Sequence, residues 1–238
     1  GKTSNINLIL NKYKNKINSL FHFGEFSRIY QSFKYFNDCY ESNTIGSKEV
    51  FKFCLDNKIK IIYSATSATL SKNDENKNLS PYAFTKFNNL GLLENLKNWF
   101  NLKFEIIYFY NVYGERQIKK GNMATVIGIF ENQYMQNKPL TLVRPGTQTR
   151  RFTHISDTVE ICFKAWKLNK CRHYSITNEK SYSIKDVAKM FDTKIRYLPP
   201  RKGERYASAL TNISNNNNVI RYYGKIKLKD YVTSFIKG

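Results

Sequence analysis

The feature that most constrains the fold is a buried strand that runs into a cluster of hydroxyl side chains and is followed by a proline-initiated helix. The pattern from Lys58 to Tyr63 predicts the strand, and Ser64-Ala65-Thr66-Ser67-Ala68-Thr69 follows it directly. Pro81 suits the first turn of a helix, where its missing N–H is no loss. Apolar residues then recur at helical spacing, at Leu90, Leu93, Leu96 and Phe100.

Two side chains at the start of this helix suggest chemistry. Tyr82 and Lys86 lie four residues apart, so both leave the same helical face. An ammonium group beside a phenol favours the phenolate and lowers the tyrosine pKa from about 10. Tyr82 is therefore predicted to act as a general base, with Thr66 bonded to the same substrate oxygen. The alternative is that the Tyr82 and Lys86 pair occurs by chance, because tyrosine and lysine are abundant in this sequence. The surrounding motifs distinguish between the two interpretations.

Length and composition indicate a folded globular chain. The 238 residues are 41% hydrophobic and 15% aromatic, which suits one large α/β domain or a domain with a lobe. Because no run approaches 18 apolar residues, we expect a cytoplasmic protein without a membrane segment. The cysteines show no C-x-x-C spacing, so we predict buried thiols and no metal site; they are Cys39, Cys54, Cys162 and Cys171.

The formal net charge of +21 permits two interpretations. A basic surface is typical of nucleic-acid binding, because it drives contacts with phosphates. The other interpretation is a lysine- and asparagine-rich bias spread over every solvated face. The lysines are scattered and accompany no recognised nucleic-acid motif, which favours the second interpretation. A basic cleft would still suit a ligand that carries a diphosphate.

A second strand carries the most specific motif. The pattern from Lys103 to Phe109 predicts a strand that ends in Tyr108-Phe109-Tyr110-Asn111-Val112-Tyr113-Gly114-Glu115-Arg116. This string resembles Y-F-N-V-Y-G-P-R, with Glu115 in place of proline. Together with the Tyr82 helix and the Asn43-x-x-Gly46 pattern, it is similar to the extended short-chain dehydrogenase/reductase family, specifically the NAD-dependent nucleotide-sugar epimerases and dehydratases. The resemblance runs from about Leu20 to the C-terminus.

The resemblance implies a catalytic set and a cofactor-binding set. Tyr82 would remove a sugar hydroxyl proton, while Lys86 lowers its pKa and binds the nicotinamide ribose and Thr66 orients the hydroxyl. The implied cofactor is NAD, with NADP left open, and it supplies the oxidation. Its implied contacts are His22, Gly24, Thr66, Tyr82, Lys86 and Tyr108. For His22 the alternative is that it only closes the strand predicted from Ile17 to Phe23.

The resemblance also implies contacts to a nucleotide-sugar substrate. Arg150 matches the arginine of a G-x-x-x-R-D-F-x-x-V-x-D segment, although Arg151 replaces the usual aspartate. A planar guanidinium group suits a diphosphate. Two further contacts, Arg201 and Glu204, come from a loop that matches R-x-G-[DE]. The asparagine of the second strand motif is Asn111, so the implied set is Asn111, Arg150, Arg201 and Glu204.

Lys120 resembles the second acid/base lysine of ADP-glyceromannoheptose 6-epimerases, in the segment Lys120-Gly121-Asn122-Met123-Ala124. The alternative is a basic loop ahead of a helix predicted from Met123 to Gln136. Further helices are predicted from about Gln31 to Asn57 and from about Leu228 to Ile236, and a polar loop from Asn212 to Ile220.

The implied fold class is α/β, with a doubly wound (Rossmann-like) parallel sheet. Such a sheet begins with a glycine-rich phosphate-binding turn, but Gly24, Gly46 and Gly91 stand far apart. We therefore expect an N-terminal truncation that removes the first strand–helix units and leaves this chain alone inactive. Residues 1–113 are assigned to the dinucleotide-binding domain, and residues 114–238 mainly to a smaller substrate lobe with segments that return to the sheet.

The hydroxyl cluster favours epimerisation over dehydration. Sugar 4,6-dehydratases carry Thr-Asp-Glu where this chain has Thr66-Ser67-Ala68, and elimination of water needs an acid and a base there. A homodimeric UDP-hexose 4-epimerase-like enzyme is the first hypothesis, and an ADP-heptose 6-epimerase-like enzyme is the alternative that Lys120 supports. A non-catalytic remnant that binds a nucleotide sugar also stays open.

Overall fold

A parallel sheet forms the centre of the molecule. The computed structural model describes residues 5–69, 78–200 and 219–238. The strands in these residues are β1 (Ser19–His22), β2 (Lys60–Thr66), β3 (Phe104–Phe109), β4 (Asn111–Tyr113), β5 (Leu140–Val143), β6 (Thr149–His154), β7 (His173–Thr177), β8 (Ser181–Ser183), β9 (Ile195–Leu198) and β10 (Val219–Tyr223). Within the described ranges the largest sheet has five strands in the order β1-β2-β3-β7-β10, and all neighbours are parallel.

The helices described are α1 (Ile6–Leu10), α2 (Ile29–Lys34), α3 (Phe36–Tyr40), α4 (Ser47–Asp56), α5 (Pro81–Phe100), α6 (Val126–Met135), α7 (Ile155–Leu168), α8 (Ile184–Lys189) and α9 (Leu228–Lys237). Helices cover the central sheet on both faces. Leu90 and Leu93 of α5 pack with Ile61 and Ile106 on one face, whereas Ile161 of α7 packs on the other. The predicted α/β class with a parallel sheet is therefore confirmed.

A second core joins the later elements. Phe130 of α6, Leu140 of β5, Phe152 of β6, Val187 of α8 and Val232 of α9 belong to one buried cluster. Because β7 and β10 pair with the central sheet, the chain after residue 113 contributes to both parts. The boundary between residues 113 and 114 stays a prediction.

The helix predicted from Gln31 to Asn57 is wrong in its continuity. The backbone leaves helical geometry at Tyr35, where φ is −113° and ψ is 53°, and a π-helical turn occupies Glu41–Gly46 between α3 and α4. A π turn inserts an extra residue into the helix and redirects the side chains that follow. Here it places Asn43 and Ser47 on the buried side, facing β1 and α5.

Other expectations hold with small shifts. The strand predicted from Ile17 to Phe23 is β1, and the last predicted helix is α9. Of the polar loop predicted from Asn212 to Ile220, residues 212–218 lie outside the described residues, and Val219 and Ile220 belong to β10. Cys39, Cys54 and Cys162 are buried free thiols, as predicted, and Cys171 is half-buried. In the described ranges, every helix is too short or too polar to cross a membrane, and the cytoplasmic location stays a prediction.

Candidate active site

A cavity of about 560 Å³ lies at the carboxyl ends of β1, β2 and β3. In parallel sheets with helices on both faces, ligands bind outside this edge of the strands. The wall formed by the sheet comes from residues just after these strands, and the opposite wall comes from α6, β5 and β6. The predicted site residues that line the cavity are Thr66, Tyr82, Lys86, Asn111 and Arg150.

β2 and α5 bring Thr66 and Tyr82 together. All seven residues of β2 are buried, and Thr66 is the last of them. The hydroxyl of Ser80 caps α5 by accepting a 3.1 Å hydrogen bond from the backbone N–H of Ala83, and Pro81 takes the first helical position. The first turn of α5 is thereby fixed against the end of β2, where the phenol of Tyr82 forms a hydrogen bond with Thr66.

In this structure the pKa of Tyr82 is raised, and the lowering effect that the spacing assigns to Lys86 stays a prediction. Burial raises the pKa of Tyr82 to about 12, the Thr66 hydrogen bond lowers it, and the negative charge of Glu25 raises it. The positive charge of Arg28 acts in the opposite direction from that of Glu25. The phenol is therefore protonated at neutral pH in the form of the chain that the structure shows.

Lys86 is paired elsewhere. Its Nζ forms a salt bridge with Glu25 Oε2 and donates a 2.5 Å hydrogen bond to the backbone oxygen of Ser64. The same ammonium lies 4.6 Å from the centroid of the Tyr63 ring. Burial lowers the pKa of Lys86, and the carboxylate of Glu25 raises it. The positive charge of Lys86, which the spacing predicts to act on Tyr82, is thus paired with the carboxylate of Glu25.

Three predicted cofactor contacts do not line the cavity. His22 is buried, packs edge-on against Phe51 and lies 2.9 Å from the hydroxyl of Ser47 through Nε2. The phenol of Tyr108 bonds to His173 Nδ1 at 2.9 Å. These two side chains therefore support the walls instead of forming them. Gly24 lies between two lining residues, and a Cβ added to it would meet no atom within 4 Å.

The structure also separates Lys120 from the other catalytic candidates. Its side chain is exposed, and it does not line the cavity. The neighbouring Lys119 turns inward instead, with Nζ 3.0 Å from the buried carboxylate of Glu131. Lys120 consequently faces solvent in this structure, and its role as a second acid/base stays a prediction.

The predicted substrate contacts are partly assembled. Asn111 donates a 2.9 Å hydrogen bond from Nδ2 to the backbone oxygen of Arg151, which fixes the amide at the cavity wall. Arg150 lines the same cavity, and its Nη1 donates to the backbone oxygen of Thr149 at 2.8 Å. Arg151 instead donates to the backbone oxygens of Asn178 and Glu179. Arg201 and Glu204 lie outside the described residues.

Two charged side chains in the cavity wall were not found from the sequence. Glu25 and Arg28 follow β1 and line the cavity. Glu25 raises the pKa of Tyr82, and Arg28 lowers it. Arg28 donates through Nη2 to the backbone oxygen of Met123. A usable signal was present: charged residues directly after a buried strand lie at the edge of the sheet where ligands bind.

A match to a protein-family model covers most of the chain and identifies its family. Residues 3–177 match the model of the NAD dependent epimerase/dehydratase family. The chain belongs to this family.

Two curated relatives of this chain carry names with different substrates. A putative UDP-glucose 4-epimerase of Methanocaldococcus jannaschii is 32% identical over 134 residues, which cover 54% of this chain and 43% of that protein. An ADP-L-glycero-D-manno-heptose-6-epimerase of Brachyspira hyodysenteriae is 32% identical over 161 residues, which cover 62% of this chain and 49% of that protein. The chain thus spans less than half the length of either relative.

A solved family structure gives the same fold. The UDP-glucose 4-epimerase of Thermotoga maritima, solved with UDP-glucose, superposes with a TM-score of 0.87 at 19% identity. The match covers 100% of this chain and 82% of that one. At this identity the similarity establishes the fold alone. The substrate has to be inferred from the residues of the site.

The residues present suit the nicotinamide end of a dinucleotide. Hydroxyl, phenol and ammonium groups from Thr66, Tyr82 and Lys86 meet at the carboxyl edge of the sheet, beside apolar walls from Phe23 and Phe109. The open space beside Gly24 leaves room for a ligand to approach the backbone. A planar apolar ring with ribose hydroxyls therefore has matching partners in this cavity.

Proposed function

We propose that the protein containing this chain is an NAD-dependent nucleotide-sugar epimerase, with a UDP-hexose as substrate and inversion at C4 through a transient keto sugar. The observation that supports the proposal is the convergence of Thr66, Tyr82, Asn111 and Arg150 on one cavity at the carboxyl edge of the parallel sheet. Membership of the NAD dependent epimerase/dehydratase family supports the cofactor. When bound, the nicotinamide accepts a hydride and returns it.

Tyr82 is proposed as the acid/base. Its phenol is buried and bonded to Thr66, so a sugar hydroxyl placed between the two would be oriented by Thr66 and would give its proton to Tyr82 in the phenolate form. A base that takes one proton and gives it back leaves the enzyme unchanged over the cycle, as epimerisation requires. Lys86 is proposed to contact the cofactor ribose from the same face of α5.

The opposite wall is proposed to hold the nucleotide diphosphate. Arg150 on β6 lines the cavity across from α5, and a guanidinium group offers the planar fork that phosphate oxygens accept. Asn111 on β4 lines the same cavity, and β4 pairs with β6, the strand that carries Arg150. A sugar linked to a diphosphate would span this distance with its reactive carbon near Tyr82.

The hydroxyl cluster supports epimerisation over dehydration. Ser67 and Ala68 line the cavity next to Thr66, and neither side chain is an acid or a base suited to expelling water. An ADP-heptose is the second candidate substrate, because the Brachyspira relative is an ADP-heptose 6-epimerase by name. Lys120, whose sequence match supports the heptose, is exposed and does not line the cavity, and we therefore place the hexose first.

The proposal is tested with the full-length protein that contains this chain. It is incubated with UDP-glucose, UDP-N-acetylglucosamine and ADP-heptose in separate reactions, and the epimeric products are separated and quantified. We expect conversion of a UDP-hexose, and Tyr82→Phe is expected to lower kcat by about 10²–10⁴-fold with nucleotide-sugar binding retained. Conversion of ADP-heptose alone would replace the hexose by the heptose. Binding of a UDP-hexose without turnover by the cofactor-loaded protein would reject the epimerase assignment.

A further inference from the structure

Two side chains at the start of α2 bond to the backbone of a turn on the opposite wall of the cavity. Gln31 Nε2 donates a 2.8 Å hydrogen bond to the backbone oxygen of Asn122, and Arg28 Nη2 donates to that of Met123. Arg28 and Gln31 line the cavity from the segment that follows β1, and Ala124 lines it from the segment that leads into α6. The two bonds therefore join two walls of the cavity at one rim.

The turn at residues 121–124 presents both backbone oxygens together. The N–H of Ala124 donates to the Gly121 oxygen at 3.2 Å, which is the hydrogen bond that closes a β-turn. Gly121 has a φ of 80°, in the left-handed region that glycine adopts without strain. The oxygens of the two central residues, Asn122 and Met123, take no part in the closing bond. They are therefore available to partners outside the turn, and the donors from α2 and its N-cap supply them.

The 121–124 turn is fastened more firmly to α6 than to α2. Thr125 Oγ1 accepts from the Gly128 N–H at 3.0 Å and donates to Gln117 Oε1 at 2.7 Å. Gln117 Nε2 donates to the fully buried carboxylate of Glu131 at 2.8 Å, and Lys119 Nζ lies 3.0 Å from the other oxygen of that carboxylate. A buried network of this kind is costly to break, whereas the donors on the α2 side are half-buried and can exchange their bonds with water. If the two walls separate, the turn therefore stays with α6.

We propose that Arg28 and Gln31 are positioning residues that form a clamp on the 121–124 turn, and that this clamp opens to admit and release the nucleotide sugar. The clamp stands on the two hydrogen bonds, whereas the identity of the ligand rests on the proposed function. A site that closes around a transient keto sugar excludes water and retains the intermediate until it is reduced. Two bonds from half-buried side chains suit this role, because each shifts the ratio of closed to open protein by a limited factor. The factor is about 2–12 for the neutral donor and roughly 10–100 for the charged donor.

The first test follows the opening of the turn in the ligand-free, full-length protein. Trypsin cuts after Lys120, which is exposed beside the turn, and the initial rate of this cut follows the population of the open form. Gln31→Met keeps the length and the neutral charge of the side chain but has no N–H to donate, so the cut is expected to be about 2–12-fold faster. Arg28→Met removes the charged donor and is expected to give a rise of roughly 10–100-fold. Mass spectrometry quantifies the fragments, and the cut after the exposed Lys170 is the internal reference.

Gln136→Met is the matched control for the loss of a glutamine donor. Gln136 Nε2 donates to Asn132 Oδ1 at 3.0 Å, at the opposite end of α6 from the turn, so this variant is expected to be cut after Lys120 at the wild-type rate. A wild-type rate in Gln31→Met, or a rise of equal size in Gln136→Met, would overturn the clamp. A rise of equal size after Lys170 would also overturn it, because the whole protein would then have loosened. If the variant without the charged donor does not fold, Gln31→Met alone decides.

The second test measures how fast fluorescently labelled UDP enters and leaves the cofactor-loaded, full-length protein, by stopped-flow mixing. A clamp that must open for both steps predicts that Gln31→Met raises the association and dissociation rate constants by a similar factor of about 2–12, so that Kd changes little. Loss of a direct contact with the ligand would raise the dissociation rate constant alone, and that result would overturn the gating role. If the wild type does not bind UDP, the proposed function fails, whereas the trypsin rates still decide the clamp.

Discussion

The side chain of Asn43 pairs with the backbone of Phe26 through two hydrogen bonds, as a neighbouring strand would. Phe26 N–H donates to Oδ1 at 2.8 Å, and Nδ2 donates to the Phe26 oxygen at 3.1 Å. The same Nδ2 donates to the hydroxyl of Thr85 in α5 at 3.1 Å. Asn43 therefore ties the segment after β1, which carries Glu25 and Arg28, to the helix that carries Tyr82 and Lys86.

Replacing Asn43 by alanine is expected to lower the free energy of unfolding by about 1–3 kcal/mol, because the half-buried backbone of Phe26 loses two hydrogen bonds and its N–H keeps only the 3.3 Å bond to Ser42 Oγ. Urea unfolding of the purified protein measures the change. Asn37→Ala, at an exposed position of α3, is the control and is expected to stay within about 0.5 kcal/mol of the wild type. Equal losses in the two variants would show that the Asn43 bonds contribute nothing specific.

His22 gives a pH dependence with a defined sign. Burial lowers the pKa of His22 from 6.5 to about 4, with Glu25 acting in the opposite direction and Lys86 lowering it further. Between these two values the unfolded chain binds a proton that the folded chain excludes. Stability is therefore expected to fall as the pH drops from about 6.5 to about 4, by about 3 kcal/mol at most from this group.

The measurement for His22 is a difference between two proteins, because carboxylates also titrate at acidic pH. Urea unfolding of the wild type and His22→Gln is followed at several pH values between neutrality and about pH 4. Glutamine can still bond to Ser47 but does not titrate, so the stability difference between the proteins should narrow as the pH falls. A difference that is constant with pH would contradict the lowered pKa.

The positions of the main strands and of α5 could be predicted from the sequence because their signals are local. Lys60–Thr66 is a buried run of apolar and β-branched residues, and Ser80 with Pro81 marks the start of α5 within one turn. Short strands such as β8 and β9 carry no such pattern, because their residues are half-exposed and are fixed by partners far along the chain.

The electrostatics of the site could not be predicted from spacing alone. Spacing places Tyr82 and Lys86 on one face of α5, and the structure agrees that both line the cavity. The partner of Lys86 is a carboxylate 61 residues earlier in the chain, which only the pairing of β1 with β2 brings into contact. Likewise, the inward turn of Lys119 to Glu131 decides the exposure of Lys120, and no local pattern encodes that choice.

Arg150 and Lys120 are expected to respond differently to substitution. Arg150→Ala is expected to raise KM for the nucleotide sugar by roughly 10–100-fold with a smaller effect on kcat, because a charged hydrogen bond is worth about 1.5–3 kcal/mol of binding. Initial rates over a range of substrate concentration measure both constants. Lys120→Ala, whose side chain is exposed and outside the cavity, is the control and should match the wild type. A raised KM in Lys120→Ala alone would reverse the assignment of the two residues.

The buried pair Lys60–Glu105 is expected to respond unequally to loss of either partner. Lys60 Nζ lies 3.3 Å from Glu105 Oε1 and donates to the backbone oxygen of Trp166 at 2.6 Å. Glu105 also accepts backbone N–H bonds from Lys170, Cys171 and Arg172. Without Lys60, three donors still stabilise the carboxylate, whereas without the carboxylate the buried ammonium keeps only neutral oxygens.

Glu105→Gln is therefore expected to lower the free energy of unfolding by about 3–5 kcal/mol, since it leaves a buried charge uncompensated. Lys60→Met is expected to cost roughly 1–3 kcal/mol, and the double variant less than the sum of the two. Urea unfolding of the four proteins measures the cycle. Lys52→Met, which breaks an exposed pair with Asp56, is the reference for a surface salt bridge and should cost less than about 1 kcal/mol. Equal costs for Lys60→Met and Glu105→Gln would mean that the backbone donors of residues 170–172 do not hold the carboxylate.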